Sequence, residues 1–150
     1  MKEKIRVLFI CIHNSGRSQM AETFLKAMGE ERFEVESAGL DPKPINPYVI
    51  KVMKEIGYDL SGNTSDSVMQ SFKEGRLYDY VITVCDKSIE NQCPIFPGVA
   101  RRLYWPFPDP QKATGTENEK LEYIRSIRDQ IKKHINSWAK ALRSSSSTQK

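Results

Sequence analysis

Apolar and polar positions alternate along this chain in blocks that predict an α/β protein. Residues 5–10 form an almost continuous apolar run, which is typical of a strand in a parallel sheet covered on both faces. A helical pattern follows, starting at Arg17 and ending at Gly29. Three further strands are predicted at residues 33–38, 78–84 and 102–104. Strands that alternate with helices favour a mostly parallel, four-stranded sheet flanked by helices on both faces.

Helices are predicted between and after these strands. Asn46 and Pro47 open one helix, because Asn is a favoured cap and Pro suits the first helical position. A short helix is predicted at residues 67–75. The last helix has apolar residues spaced three or four apart, at Leu121, Ile124, Ile127, Ile131, Ile135, Trp138 and Leu142. We therefore expect a single domain over residues 1–143, followed by a disordered polar tail at 144–150.

Composition and charge exclude several classes of partner. The net charge is +4, and the excess lies in residues 117–150, because the preceding part of the chain holds equal numbers of acidic and basic residues. No basic stripe is interleaved with aromatic residues, so we expect no nucleic-acid partner. No apolar run approaches the ~20 residues needed to span a bilayer, and we expect no membrane partner. Residues 1–4 do not resemble a signal peptide, so we expect a cytoplasmic protein. We also expect it to be a monomer.

The clearest candidate for chemistry is the loop between the first strand and the first helix. Cys11 ends the strand, and Arg17 stands six positions later at the helix start. Backbone N–H groups of such a loop and the positive end of the helix can bind an oxyanion. The predicted oxyanion-binding residues are Ile12, His13, Asn14, Ser15, Gly16 and Arg17. This environment would also lower the pKa of the Cys11 thiol, although a plain core cysteine at a strand end is the alternative.

The chain contains three cysteines, an odd number that argues against a static disulfide framework. The two histidines give no zinc-binding spacing with them, so reactive thiols are favoured. Cys11 follows the first strand and Cys85 follows the third. Because parallel strands end at the same edge of a sheet, we expect these two thiols to lie close together. Two incidental cysteines in a surface loop, Cys85 and Cys93, are the alternative.

The segment from Cys11 to Glu22 resembles the signature loop of the low-molecular-weight protein tyrosine phosphatase fold. It is most similar to the thioredoxin-coupled arsenate reductase family within that fold. Three further segments agree with this family: Ser37 to Gly39, Asn91 to Pro94, and Asp109 to Glu117. The resemblance extends over residues 5–140.

This resemblance implies a thiol relay that reduces arsenate to arsenite, as part of arsenic detoxification. Cys11 would attack arsenic with Asp109 as the acid, and a Cys11–Cys85 disulfide would then be replaced by a Cys85–Cys93 disulfide. Thioredoxin would reduce that bond, while phosphate and sulfate would compete with arsenate. Reduction needs two electrons, which a thiol pair supplies on forming a disulfide.

Two other functions remain open. A phosphatase acting on phosphomonoesters would use Cys11 as nucleophile, Arg17 to stabilise the equatorial oxygens and Asp109 as acid, and it would need no second thiol. A phosphate-binding module without catalysis is a further alternative, which the presence of all three residues argues against. Asp109 could also be a simple turn residue before Pro110.

Several residues are predicted to support this site. Ser18 can donate a hydrogen bond to the Cys11 thiolate, or it is only a first-turn helix residue. The family resemblance also implies a structural potassium ion, although no cofactor is required. Its ligands would be Asn14, Glu22, Ser37 and Asp66, which all offer oxygen atoms. Glu22 alternatively acts only on the helix dipole.

A disulfide between Cys85 and Cys93 would restrict the conformation of the chain between them. If residues 85–93 were helical, the two Cα atoms would stand ~12 Å apart at 1.5 Å rise per residue. A disulfide requires less than about 7 Å. The segment would therefore have to unfold or loop out on oxidation, and its single apolar residue between the cysteines favours such an opening.

Overall fold

The computed structural model describes residues 4–29, 31–85 and 101–148, and its centre is a four-stranded sheet. The strands are β1 (Ile5–Cys11), β2 (Phe33–Gly39), β3 (Tyr80–Thr83) and β4 (Arg101–Tyr104). They lie in the order β2-β1-β3-β4, and all three pairings are parallel. The predicted fold class is therefore confirmed. Because β1 is a central strand with both faces covered, its residues 7–10 are fully buried.

The helices are α1 (Arg17–Met28), α2 (Pro47–Lys54), α3 (Val68–Lys73) and α4 (Glu117–Thr148), with a short 3₁₀ turn at Pro110–Lys112. Their starts follow the capping rules. The Asn46 side chain accepts a hydrogen bond from the Tyr48 N–H at 2.9 Å, and the Ser67 side chain caps α3 in the same way. Gly29 ends α1, as the sequence predicts.

Helix α4 covers one face of the sheet and organises its aromatic residues. The ring of Trp138 lies 5.1 Å from that of Tyr80 on β3 and 6.3 Å from that of Phe33 on β2, measured between centroids. It also packs edge-on against Trp105, which follows β4. The apolar stripe of α4 is buried as predicted, including Ile124, Ile127, Ile131 and Ile135.

An ion-paired cluster fastens α2 to α4. Arg128 is almost fully buried and donates from Nη1 to the Val52 carbonyl at 2.8 Å and to the Glu55 carboxylate at 2.9 Å. Arg125 donates hydrogen bonds to the same carboxylate from its Nε and Nη2 atoms. A bidentate pair of this kind fixes orientation as well as distance. This pair fixes the position of α2, whose first residues follow Asn46, beside the cavity at the carboxyl end of β1.

Helix α4 continues to Thr148, so it does not end before the predicted polar tail at residues 144–150. The sequence there contains serines but neither Gly nor Pro, and serine costs only a few tenths of a kcal/mol per residue in a helix. Nothing in that stretch forces the helix to stop at residue 143. Within the described ranges, no helix combines the length and the apolar character needed to cross a membrane.

We predict that Ile131→Ala lowers the free energy of unfolding by about 3 kcal/mol, because it leaves a cavity under α4 at a fully buried position. Urea denaturation followed by circular dichroism measures this loss. Lys132→Ala, at the exposed neighbouring position, is the control and should change stability by less than about 0.5 kcal/mol. Equal losses in the two variants would contradict the packing described here.

Candidate active site

A cavity of about 170 Å³ opens at the carboxyl end of β1. The loop between β1 and α1 forms its floor, and the segment around the 3₁₀ turn forms its opposite wall. Its lining residues are Cys11, Ile12, His13, Ser15, Gly16, Arg17, Asn46, Asp109, Pro110 and Gln111. Five of the six predicted oxyanion-binding residues are therefore on the cavity wall, and Asn14 is behind it. The position at the strand ends is the one expected for a parallel α/β sheet.

The loop adopts a shape that few residue types permit. Asn14 has a φ of 53°, in the left-handed region that Asn tolerates better than most non-glycine residues. The loop then crosses Gly39 at the end of β2 so closely that a Cβ there would lie 2.7 Å from the backbone N of Asn14 and 2.8 Å from the carbonyl O of Ile12. Glycine at position 39 therefore leaves room for the loop.

The amino end of α1 offers donors to the cavity. Gly16 caps this helix without a side chain, and among the residues that the structure describes no side-chain oxygen caps the first N–H groups of the helix. Such free N–H groups and the helix dipole attract an anion. The geometry is that of an oxyanion-binding loop.

Arg17 adds positive charge at the same place. Its guanidinium is only 4% exposed, donates from Nη1 to the Phe107 carbonyl at 3.0 Å, and lies with Nη2 3.8 Å from Asp109 Oδ1. Its buried Nε has no hydrogen-bond partner within the described part of the chain. A buried N–H donor of a charged group needs an acceptor, and a tetrahedral oxyanion in the cavity would supply one.

Cys11 lies at the floor of the cavity with an acidic thiol. Its pKa falls from 9.0 to about 7, chiefly because the Cys85 side chain donates a hydrogen bond to it. Burial opposes this shift, while the Arg17 charge and the Ile12 N–H favour it and the Asp109 carboxylate raises the pKa. A large share of the thiol is therefore the nucleophilic thiolate near neutral pH.

Cys85 follows β3 and is completely buried. The backbone N–H of Val84 donates to the Ile10 carbonyl at 3.0 Å, and this bond holds the end of β3 against the end of β1. The structure thus brings Cys85 to Cys11, as the topology predicts, and within the described part of the chain neither cysteine forms a disulfide. Cys93, the Asn91 to Pro94 motif and the segment that links the two cysteines lie outside the described residues.

Asp109 and Ser18 occupy different sides of the site. Asp109 lines the cavity, and its Oδ1 accepts a hydrogen bond from the Gln111 N–H at 2.9 Å, which fixes the carboxylate opposite Arg17. Ser18 is fully buried, and its Oγ accepts a hydrogen bond from Asn14 Nδ2 at 2.7 Å. That bond leaves the hydroxyl hydrogen of Ser18 to be donated elsewhere, and its donation to Cys11 stays a prediction.

The residues predicted to hold potassium already bind one another. Asn14 Nδ2 donates to Ser37 Oγ at 2.9 Å, and Ser37 Oγ donates to Glu22 Oε1 at 2.5 Å. Glu22 also pairs with the Lys26 ammonium at 2.7 Å, and Asp66 contributes its backbone N–H to Asn14 Oδ1. The side-chain oxygens of Asn14, Ser37 and Glu22 are thus linked to one another by hydrogen bonds. The potassium site stays a prediction, and no step below uses it.

Sequence reasoning missed several residues that shape the site. Gln19 is 2% exposed and hydrogen-bonds both to Asn14 and to the loop at residues 63–64. Asn46 and Gln111 line the cavity wall. A polar Gln on the buried side of α1 was the one sequence signal for Gln19. The sequence indicates Asn46 only as a helix cap and Gln111 only as part of the segment from Asp109 to Glu117, because the fold brings both to the cavity from distant positions.

Comparison with known proteins shows which family the chain belongs to. A family model described as low molecular weight phosphotyrosine protein phosphatase matches residues 6–148. The chain belongs to this family. An arsenate reductase of Halalkalibacterium halodurans is 40% identical to it, over 93% of this chain and 97% of that protein.

Solved structures of this family agree. One described as an arsenate reductase in the phosphate binding state is 32% identical, with a TM-score of 0.71, and covers 89% of this chain and 95% of its own. A thioredoxin-dependent arsenate reductase of Corynebacterium glutamicum is 31% identical, with a TM-score of 0.60, and covers 90% of this chain and 63% of its own. The family resemblance predicted from the sequence is confirmed.

We predict that Cys85→Ala raises the pKa of the Cys11 thiol, because it removes the hydrogen bond that contributes most to lowering it. The midpoint of Cys11 alkylation against pH, followed by mass spectrometry of the Cys11 peptide, should move from about 7 to higher pH. Cys85→Ser is the matched control, because its hydroxyl can still donate and should give a smaller shift. An unchanged midpoint in Cys85→Ala would show that Cys85 does not tune Cys11.

We predict that Gly39→Ala weakens the binding of inorganic phosphate by at least about tenfold, because the added Cβ would collide with the loop backbone. Isothermal titration calorimetry measures this affinity. Gly62→Ala is the control, since a Cβ there meets no atom within 4 Å. If both variants bound phosphate equally well, the close crossing of the loop over β2 would be refuted.

Proposed function

We propose that this protein reduces arsenate to arsenite by a relay of Cys11, Cys85 and Cys93, and that thioredoxin regenerates it. The observation that carries the proposal is the position of a second buried thiol, that of Cys85, at the end of the strand paired with β1, where it lowers the pKa of Cys11. A second thiol beside the nucleophile supplies the electrons that reduction requires, whereas phosphate-ester hydrolysis has no use for it.

The first step is the capture of arsenate. Its oxygens accept hydrogen bonds from the N–H groups of the loop at residues 12–17 and from the Arg17 guanidinium, whose Nε is available to them. The Cys11 thiolate attacks arsenic, and an oxygen leaves as water after protonation by Asp109. The position of Asp109 on the wall of the same cavity, opposite Arg17, supports this role.

The second step transfers the electrons. The Cys85 sulfur, as thiolate, attacks the Cys11 sulfur, and the S–As electron pair moves to arsenic, which leaves as arsenite while a Cys11–Cys85 disulfide forms. Each sulfur is oxidised by one electron, and arsenic gains two. Cys93 then attacks Cys85, releases the Cys11 thiolate and leaves a Cys85–Cys93 disulfide. A dithiol protein, thioredoxin, then reduces that disulfide, and the two thiols of thioredoxin become a disulfide in exchange.

The relatives support the substrate and the reductant. Proteins named arsenate reductase cover nearly the full length of this chain, and one structural relative is described as thioredoxin-dependent. Arsenate and phosphate share shape and charge, so phosphate and sulfate are expected to compete for the same cavity. Monomeric state, cytoplasmic location, the lack of a required cofactor and the absence of nucleic-acid or membrane partners stay predictions from the sequence.

A second candidate is phosphomonoester hydrolysis, the activity in the name of the matched family. Cys11, Arg17 and Asp109 suffice for it, since they supply the nucleophile, the oxyanion clamp and the acid at one cavity. We therefore expect weak phosphatase activity beside the reductase activity.

We predict that Cys85→Ser and Cys93→Ser each abolish arsenate-dependent NADPH oxidation coupled through thioredoxin and thioredoxin reductase, because each removes one sulfur from the relay. Hydrolysis of p-nitrophenyl phosphate by the same variants is the control. It should persist, because Cys11, Arg17 and Asp109 are unchanged.

Three outcomes separate the candidates. Loss of arsenate turnover in both variants, with ester hydrolysis retained, supports the relay. Ester hydrolysis indifferent to both substitutions, without arsenate turnover in the unmodified protein, identifies a phosphatase. Stoichiometric binding of phosphate without either turnover identifies a binding module.

A further inference from the structure

We propose that Gln19 is a positioning residue for oxyanion binding, which holds the peptide between Asn14 and Ser15 with its N–H turned toward the cavity. Gln19 does not line the cavity and would not touch the oxyanion. The inference rests on the proposed function only in taking the natural oxyanion to be arsenate. The inference concerns the affinity of the loop for any tetrahedral oxyanion.

The amide of Gln19 spans two loops. Gln19 is 2% exposed, in the first turn of α1, and its Nε2 lies 3.1 Å from the carbonyl O of Asn14, from Asn14 Oδ1 and from the carbonyl O of Thr64. Its Oε1 accepts a hydrogen bond from Asn63 Nδ2 at 3.1 Å. Both polar ends of the amide are therefore bound, and the oxyanion-binding loop is tied to residues 63–64.

The bond to the Asn14 carbonyl has a geometric consequence. A trans peptide is planar, and its C=O and N–H point in opposite directions. When Gln19 holds the Asn14 oxygen on the protein side of the loop, the N–H of Ser15 points to the other side. Ser15 lines the cavity, so this N–H is one of the donors that an oxyanion would meet.

The left-handed backbone conformation of Asn14 makes such a restraint necessary. Asn14 has a φ of 53°, a conformation that is disfavoured for any residue with a Cβ and persists only where its surroundings fix it. Gln19 contacts this residue at both its carbonyl and its side chain. Ser65 Oγ also lies 3.0 Å from the same carbonyl, but its single hydrogen is shared with the Lys43 carbonyl, so Gln19 is the main donor to Asn14.

The restraint requires an amide at position 19. Leucine has a similar size but offers no donor to the Asn14 oxygens. Glutamate is close in shape but replaces the donor by a second acceptor, which would repel the Asn14 carbonyl and turn the peptide. The pair of variants Gln19→Leu and Gln19→Glu therefore separates the loss of the restraint from its reversal.

The experiment is calorimetric titration of both variants with inorganic phosphate, well below the thermal midpoint of each. We expect Gln19→Leu to raise the phosphate Kd about tenfold, since it removes two ordinary hydrogen bonds that hold the loop, and Gln19→Glu to raise it further. Gln130→Leu is the matched control, because Gln130 is exposed on α4 and bonds only to Ser126 among the described contacts. Its Kd should not change.

The outcomes decide between positioning and a purely structural role. A lower thermal midpoint with a phosphate Kd within twofold of the unmodified protein would overturn the proposal, since folding alone would then need Gln19. If Gln19→Leu does not fold, Gln19→Glu alone provides the test, because it keeps the size and polarity of the side chain while replacing the donor to the same carbonyl. An unchanged Kd in that variant would also overturn the proposal. Phosphate binding without arsenate turnover in the unmodified protein would refute the proposed function and leave this inference intact.

Discussion

The site depends on the direct pairing of β1 with β3. Neighbouring parallel strands lie about 4.8 Å apart, so residues that follow their carboxyl ends are within contact distance. The bond from the Val84 N–H to the Ile10 carbonyl extends this pairing one step beyond the strand and places Cys85 against Cys11. A sheet with another strand between β1 and β3 would separate the thiols by about 10 Å. The order of the strands is therefore as much a part of the chemistry as the cysteines.

Burial and charge act in opposite directions on Cys11. Removal from water alone would raise its pKa and keep the thiol protonated, yet the pKa falls to about 7. The Cys85 hydrogen bond, the Arg17 charge and the Ile12 N–H outweigh burial. The same groups suit a thiolate before the reaction and an oxyanion during it, because both are negative. A low pKa also makes Cys11 the better leaving group when a later thiol attacks its disulfide.

The sequence predicted those parts of the molecule that depend on local patterns. The strand before Cys11, the start of α1 at Arg17 and the cap at Asn46 follow from residue types at fixed short spacings. The proximity of Cys85 followed from topology, because a parallel sheet gathers the strand ends at one edge. The end of the last helix did not follow from a local pattern, since propensity alone does not say where a helix without Gly or Pro stops.

The rest of the site could not be predicted because its causes are distant along the chain. Gln19 acts through Asn63 and Thr64, more than forty positions away, and Gly39 matters only because a loop from another segment crosses it. Arg128 likewise donates a hydrogen bond to the carbonyl of Val52, a residue distant from it along the chain. Each of these residues would look ordinary in isolation. Their roles appear only when the packing of two segments is known.

A reductase and a phosphatase on this fold share their first step and differ in what next reaches the covalent adduct. In hydrolysis, water attacks phosphorus, and the Cys11 sulfur leaves with its electron pair. In reduction, a thiol attacks the Cys11 sulfur, and arsenic leaves with that pair. In the proposed relay that thiol is Cys85, which is buried beside Cys11 and lowers its pKa. Arsenic accepts the electron pair far more readily than phosphorus does, so the proposed relay would reduce arsenate, whereas a phosphate ester bound in the same cavity could only be hydrolysed.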